Sequence, residues 1–271
     1  MIVTRDGDRF RLIRQVDHQD QCGQLATAWG NESFARCAPF SPLIDAARCH
    51  DDGWRAWDKA PGVDDHGAPI NFPDVDRAVH AAFYGHAIDD AAHDDAQVGL
   101  IVSMHGQGLY EKRLGLDGRP VDRHTRPEFE RQFIEAEMAR QHELSSRIGD
   151  LAATQRWAWA GFRLLQAWDV LSLYVCWHGL DRGEVWSLPA VPTNLDDNEG
   201  VSVQVLPLRA GVACVRPWPF AEPFLKIPIA ARWIPFDCYP DAAALSASLS
   251  RAEEHPHEVL LCADPGNLLV R

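Results

Sequence analysis

Residues 48–58 read RCHDDGWRAWD and set His50 beside Asp51 and Asp52 at what looks like a helix end. A histidine and a glycine are ordinary there, since positive charge and a Gly53 cap both suit a helix C-terminus. Two aspartates are not, because negative charge is unfavourable at that end unless a cation is present. Imidazole and carboxylate together are ligands for Fe, Mn, Zn, Co or Ni rather than for Ca. Further candidates in helical context are His18, His80, His105 and Asp169. Asp169 is the most telling of these. Phe162, Leu165, Leu173 and Cys176 lie on its side of a helix, so the pattern buries a carboxylate among apolar neighbours. Such a group normally finds a cation or a metal.

Periodicity supplies the elements that would hold these groups. The opening MIVTRDGDRFRLI alternates apolar and charged residues and predicts a strand. His18, Cys22, Leu25 and Trp29 then fall on one helical face, with Asp17 as a candidate cap. A second helix is expected from Ser41 as N-cap, with Pro42 at its first position, to Gly53 as its C-terminal cap. Its end puts His50 and Asp51 about 100° apart around the axis. Residues 60–74 read as a loop. DVDRAVHAAFYGHAIDDAAH follows with helical spacing and offers His80, with His86 as its competitor. The two are about 120° apart and about 9 Å along the axis, so one site cannot easily use both. His80 is preferred for its spacing to His105. VGLIVSMHGQG is a buried helix or strand carrying His105, and residues 110–126 are a loop. Two helices are expected after it, from Pro127 to about Gly149 and from about Thr154 to Trp177. Trp54 and Trp57 read as core.

Beyond Gly179 the texture turns to short β-type runs broken by proline and glycine. The expected fold is therefore mainly α. It comprises a helical metal-binding domain over 1–179 with an N-terminal strand, and a β-rich C-terminal section over 180–271 that is separate or packed on the same core.

The chain of 271 residues carries a net charge of −13, which argues against nucleic acid and anionic membranes as partners, since both need clustered Lys and Arg. An odd number of cysteines, seven, without a CxxC pair reads as reduced thiols, and no secretory h-region or membrane-length apolar run occurs, so a cytoplasmic location is expected.

The order His18, His50–Asp51, His80, His105 and Asp169, the last within AWDVLS, resembles the HD superfamily over residues 17–177. That resemblance implies an HD-like helical bundle whose ligands converge on one or two divalent metal ions. In single-metal members only the counterparts of His18, His50, Asp51 and Asp169 bind metal. In two-metal members the counterparts of His80 and His105 complete a second site and that of Asp51 bridges the ions. The wider pattern also looks like a bacterial family of unknown function, through a strand leading into DHxxxxG (Asp17, His18, Gly23), then HDDGW, SMHGxGLY and PWPF.

Three functions fit these readings. The first is a metal-dependent phosphoester hydrolase with a small anionic substrate. Asp51 would bridge the ions, while His80 and His105 would contact phosphate or supply a proton if one metal binds. The second is a di-iron oxygenase cleaving a C–C or C–P bond, and the third a non-enzymatic ligand sensor. The segment after His105 holds Arg113, Arg119 and Arg123, which read either as a solvated mixed-charge loop or as anion contacts for the substrate. No GxGxxG, GxxxxGK[ST], HExxH or GxSxG motif points elsewhere.

Overall fold

The computed structural model describes residues 1–118, 122, 125–178, 180 and 183–264. The N-terminal alternation is two strands rather than one: β1 (Ile2–Asp6) and β2 (Arg9–Ile13) pair antiparallel. Gly7, at φ +63°, supplies the left-handed backbone that a two-residue hairpin loop needs. Among the described residues eight α-helices and five more strands follow. The helices are α1 (Gln15–Ala28), α2 (Ser41–Cys49), α3 (Arg55–Lys59), α4 (Arg77–Asp94), α5 (Ala96–Tyr110), α6 (Glu128–Ile148), α7 (Leu151–His178) and α8 (Ala242–Arg251). The strands are β3 (Trp186–Val191), β4 (Val201–Arg209), β5 (Val212–Arg216), β6 (Phe224–Pro235) and β7 (Glu254–Cys262).

All seven strands lie in one curled sheet of order β1-β2-β6-β7-β5-β4-β3, in which only β5 and β7 pair parallel. The mainly α expectation is thereby overturned: about 51% of the chain is helical and 21% is strand, and the sheet is a half-barrel rather than an appendage to a helical bundle. The physical reason lies in pairing. β2 bonds to β6, more than 200 residues away in sequence, with Phe10 opposite Ile234 and Leu12 opposite Arg232. Short strands read singly give no hint that the first and last parts of the chain close one sheet.

One apolar core joins the two layers. Leu25, Leu43, Ile101, Leu165 and Trp168 from the helices pack in the same cluster as Val203, Val215, Ile227 and Val259 from the sheet. A smaller cluster, with Phe10, Leu12, Ile234, Leu245 and Leu249, seals α8 onto the opposite face of β2 and β6. Helix α7 runs through the centre, and Phe162, Leu164, Leu165 and Trp168 on it are fully buried. An apolar surface all round a helix is what a central position demands.

Local details differ from the sequence expectations. Ser41 is the first residue of α2, preceded by Phe40, and makes no capping bond. Asp17 lies in the first turn of α1 and is gripped by both Nε and NH2 of Arg14, each at 2.7 Å. Gly53 is not a left-handed cap. It sits in a single 3-10 turn (Asp52–Trp54), where a Cβ would stand 1.9 Å from the carbonyl oxygen of Phe83. Glycine is needed there because the backbone of α4 crosses against the turn. Among the described residues no helix is long and apolar enough to cross a membrane.

Candidate metal centre

Helix α1 buries Gln15, His18, Gln19 and Gln21 together with Cys22 and Leu25. That is an unusual load of polar groups for one buried face. Helix α2 delivers His50 at its C-terminal cap and Asp51 in the turn that follows. Asp169 comes from the middle of α7. His18 and His50 are fully buried, and Asp51 and Asp169 nearly so.

The donor atoms of these four residues converge. His18 Nε2 lies 3.0 Å from Asp169 Oδ1 and 3.9 Å from Asp51 Oδ2. His50 Nε2 lies 3.7 Å from Asp51 Oδ2 and 4.0 Å from Asp169 Oδ1. Donors each about 2.1 Å from one ion stand about 3.0 Å apart at a right angle and up to about 4.2 Å apart across it. All four separations fall in that interval. The ring of His50 is oriented by Nδ1–H, which donates to the carbonyl of Ala47 at 3.0 Å. Its Nε2 is then left as a lone pair, buried, with no hydrogen-bond partner among the described residues. Ser172 Oγ, 2.7 Å from His18 Nδ1, gives its own proton to the His18 carbonyl or to Gln21 and so accepts from the ring. The 3.0 Å contact of His18 with Asp169 is thus a second donated bond from a charged ring, or the spacing of two ligands on one ion. Burial opposes the charge of Asp169, but the His18 bond and the Arg113 guanidinium outweigh it and hold the carboxyl well below the ordinary range.

Asp51 is clamped on every side. Tyr84 donates to its Oδ1 at 2.6 Å, and its backbone N–H donates to Gln19 Oε1 at 2.6 Å. The amide nitrogen of Gln19 reaches Asp52 Oδ1, which also takes Arg55. Asp52 therefore braces the turn and does not face the cluster. Burial and the Asp51 carboxylate hold the Tyr84 phenol well above its usual range, so it stays a donor.

His105, from α5, stacks edge-on against His50 with ring centres 4.9 Å apart. With His50 and Asp51 it completes one group able to hold a metal, and His18, Cys22 and His50 form another. Its proton position follows from its neighbours. Arg113 can only donate, and its NH1 lies 2.5 Å from Gln166, so the Gln166 atom facing it is the oxygen. The Gln166 amide nitrogen then donates to His105 Nδ1 at 2.8 Å, and the imidazole carries its hydrogen on Nε2. Burial pushes the His105 pKa down to about 3, so the ring is neutral.

His80 stands apart from this group. Its Nδ1 bonds Tyr110 at 2.8 Å, and its ring lies against Tyr84, 4.8 Å between centres, so Tyr84 stands between it and Asp51. Burial brings its pKa down to about 4. His86 is exposed on α4. Arg113 reaches the cluster, with NH1 3.3 Å from Asp169 Oδ2. Arg119 and Arg123 lie outside the described residues.

Sequence reasoning missed Tyr84, Gln19, Cys22 and Gln166 as members of the site. Helical spacing carried a signal for three of them: Cys22 is one turn after His18, Tyr84 one turn after His80, and Gln166 three residues before Asp169.

Fold and site together define an α+β protein with a buried histidine–carboxylate centre at the meeting of α1, α2, α5 and α7. The chain belongs to the family described as protein of unknown function (DUF3891), whose model matches residues 1–235. No curated protein and no solved structure matches it.

Proposed function

We propose that this protein is a metal-dependent hydrolase of small phosphoesters that holds one divalent transition-metal ion between His18, His50, Asp51 and Asp169. The observation that carries the reading is the fully buried Nε2 of His50, a lone pair without a partner among the described residues, aimed among an imidazole nitrogen and two carboxylate oxygens. Leaving such a group empty is costly, and a cation is the partner its chemistry selects. An ion bound there would supply an acidified water and draw charge from a phosphoryl oxygen.

The remaining residues take defined parts. Tyr84 and Gln19 hold Asp51 so that only Oδ2 faces the histidines. His105 offers Nε2–H as a donor to a substrate oxygen, and Arg113 adds positive charge beside Asp169. Two features favour one ion over the two that a di-iron oxygenase would use. Asp51 Oδ1 is committed to Tyr84 rather than free to bridge, and His80 is turned to Tyr110. The ligand order along the chain agrees with what the HD resemblance implies for a single-metal member.

Elemental analysis of protein purified without added metal or chelator tests this. About one transition-metal ion per chain is expected, falling to under about a tenth in Asp51→Asn and Asp169→Asn while both variants keep a cooperative melt. Hydrolysis of a phosphoester panel should vanish with a chelator and return with the ion. Unchanged metal content in both variants would reject the ligand set, and two ions per chain would reject the single-ion reading.

A further inference from the structure

A cavity of about 290 Å³ opens beside the candidate centre, where α7 meets β3 and the turn after α5. Its polar lining is Arg113, Gln166, Asp117 and Ser187, and the first two bond Asp169 and His105. Its body is apolar, walled by Leu116, Val170, Trp186 and Leu188. Trp186 is held in place by Tyr174, with ring centres 4.4 Å apart. Gln166, Asp169 and Val170 succeed one another at helical spacing, so one face of α7 runs from the centre into the cavity. Arg113 gives Nε to Asp117 and NH1 to Gln166 and Asp169. Its NH2 has no bond among the described residues.

We propose that this cavity is the substrate subsite. It selects a small organic anion, a phosphate or phosphonate, that carries a flat or branched apolar group, with Arg113 anchoring the anion and β3 walling the apolar part. The inference rests on the hydrolase reading for its reactive end and assigns the sheet a role in the site. A cleft with a few convergent polar groups and apolar walls is the form small-molecule sites take, and its volume lies near the lower bound of about 300 Å³ for such sites. Among the described residues Arg113 is the one cationic side chain that lines this cavity.

Calorimetric titration with methylphosphonate and phenylphosphonate, each with and without one equivalent of Mn²⁺, tests the subsite. The two probes share an anionic head and differ in apolar body. Phenylphosphonate should bind about tenfold or more tightly than methylphosphonate. Val170→Trp and, independently, Leu116→Trp should erase that advantage by filling the apolar part of the cavity. Arg113→Gln should weaken both probes about tenfold or more. Equal affinity for the two probes, or an advantage that survives both tryptophan variants, would overturn the proposal. Failure of the metal reading looks different. The protein would then take no ion, yet phenylphosphonate would keep an advantage that the tryptophan variants remove, and the subsite would stand alone.

Discussion

His105 and His50 are neighbours, yet they offer the centre opposite chemistry. His50 gives its Nδ1 hydrogen to Ala47 and is left with a bare Nε2. His105 has its Nδ1 taken by Gln166 and presents a hydrogen instead. On the proposed reading, a ligand and a donor are thus distinguished by one hydrogen bond each, on the far side of the ring. His105→Phe should therefore keep about one ion per chain while lowering kcat on a phosphoester about 100-fold or more. Metal analysis and steady-state kinetics on the same sample check it. Loss of the ion in that variant would make His105 a ligand and show that the Arg113–Gln166 chain does not govern its proton.

The 3-10 turn between α2 and α3 is the element on which the site depends most directly. It carries Asp51 toward the histidines and Asp52 toward Gln19 and Arg55, and it can do so only because α4 approaches it at Gly53. An added methyl group would meet the backbone of Phe83, which cannot swing away as a side chain would. Gly53→Ala should cost about 2–3 kcal/mol of stability, read from the denaturant midpoint. A loss below about 0.5 kcal/mol would mean that the close approach is not required. The glycine was legible as a special position in HDDGW, but its reason was not. A sequence shows that a helix stops there and cannot show which backbone comes to lie against it.

The helices and the sheet share one core, so the chain should unfold as one unit despite its change of texture after Gly179. Far-UV circular dichroism and tryptophan fluorescence should trace coincident transitions. A bound ion stabilises the folded state alone. At about a hundredfold its dissociation constant it should add about 3 kcal/mol, or about 5–10 °C in Tm for both probes together. Two separated transitions, with only one responding to the ion, would instead describe a helical metal domain and an independent β-rich section.

Asp169 stood out in the sequence because a carboxylate on an apolar helical face violates local pattern, whereas His18, His50, Asp51 and His105 were singled out by their order along the chain; the fold buries all five. The spacing of α1, α2, α4, α6 and α7 was legible because 3.6-residue periodicity is local. What depended on the third dimension was of another kind. The partner of β2, the joining of seven strands into one sheet, the placing of Tyr84 between His80 and Asp51, and the chain from Arg113 through Gln166 to His105 all link residues far apart in sequence. Their energies come from contacts that no local pattern encodes, so only the packed chain reveals which imidazole is left bare and which cavity lies beside it.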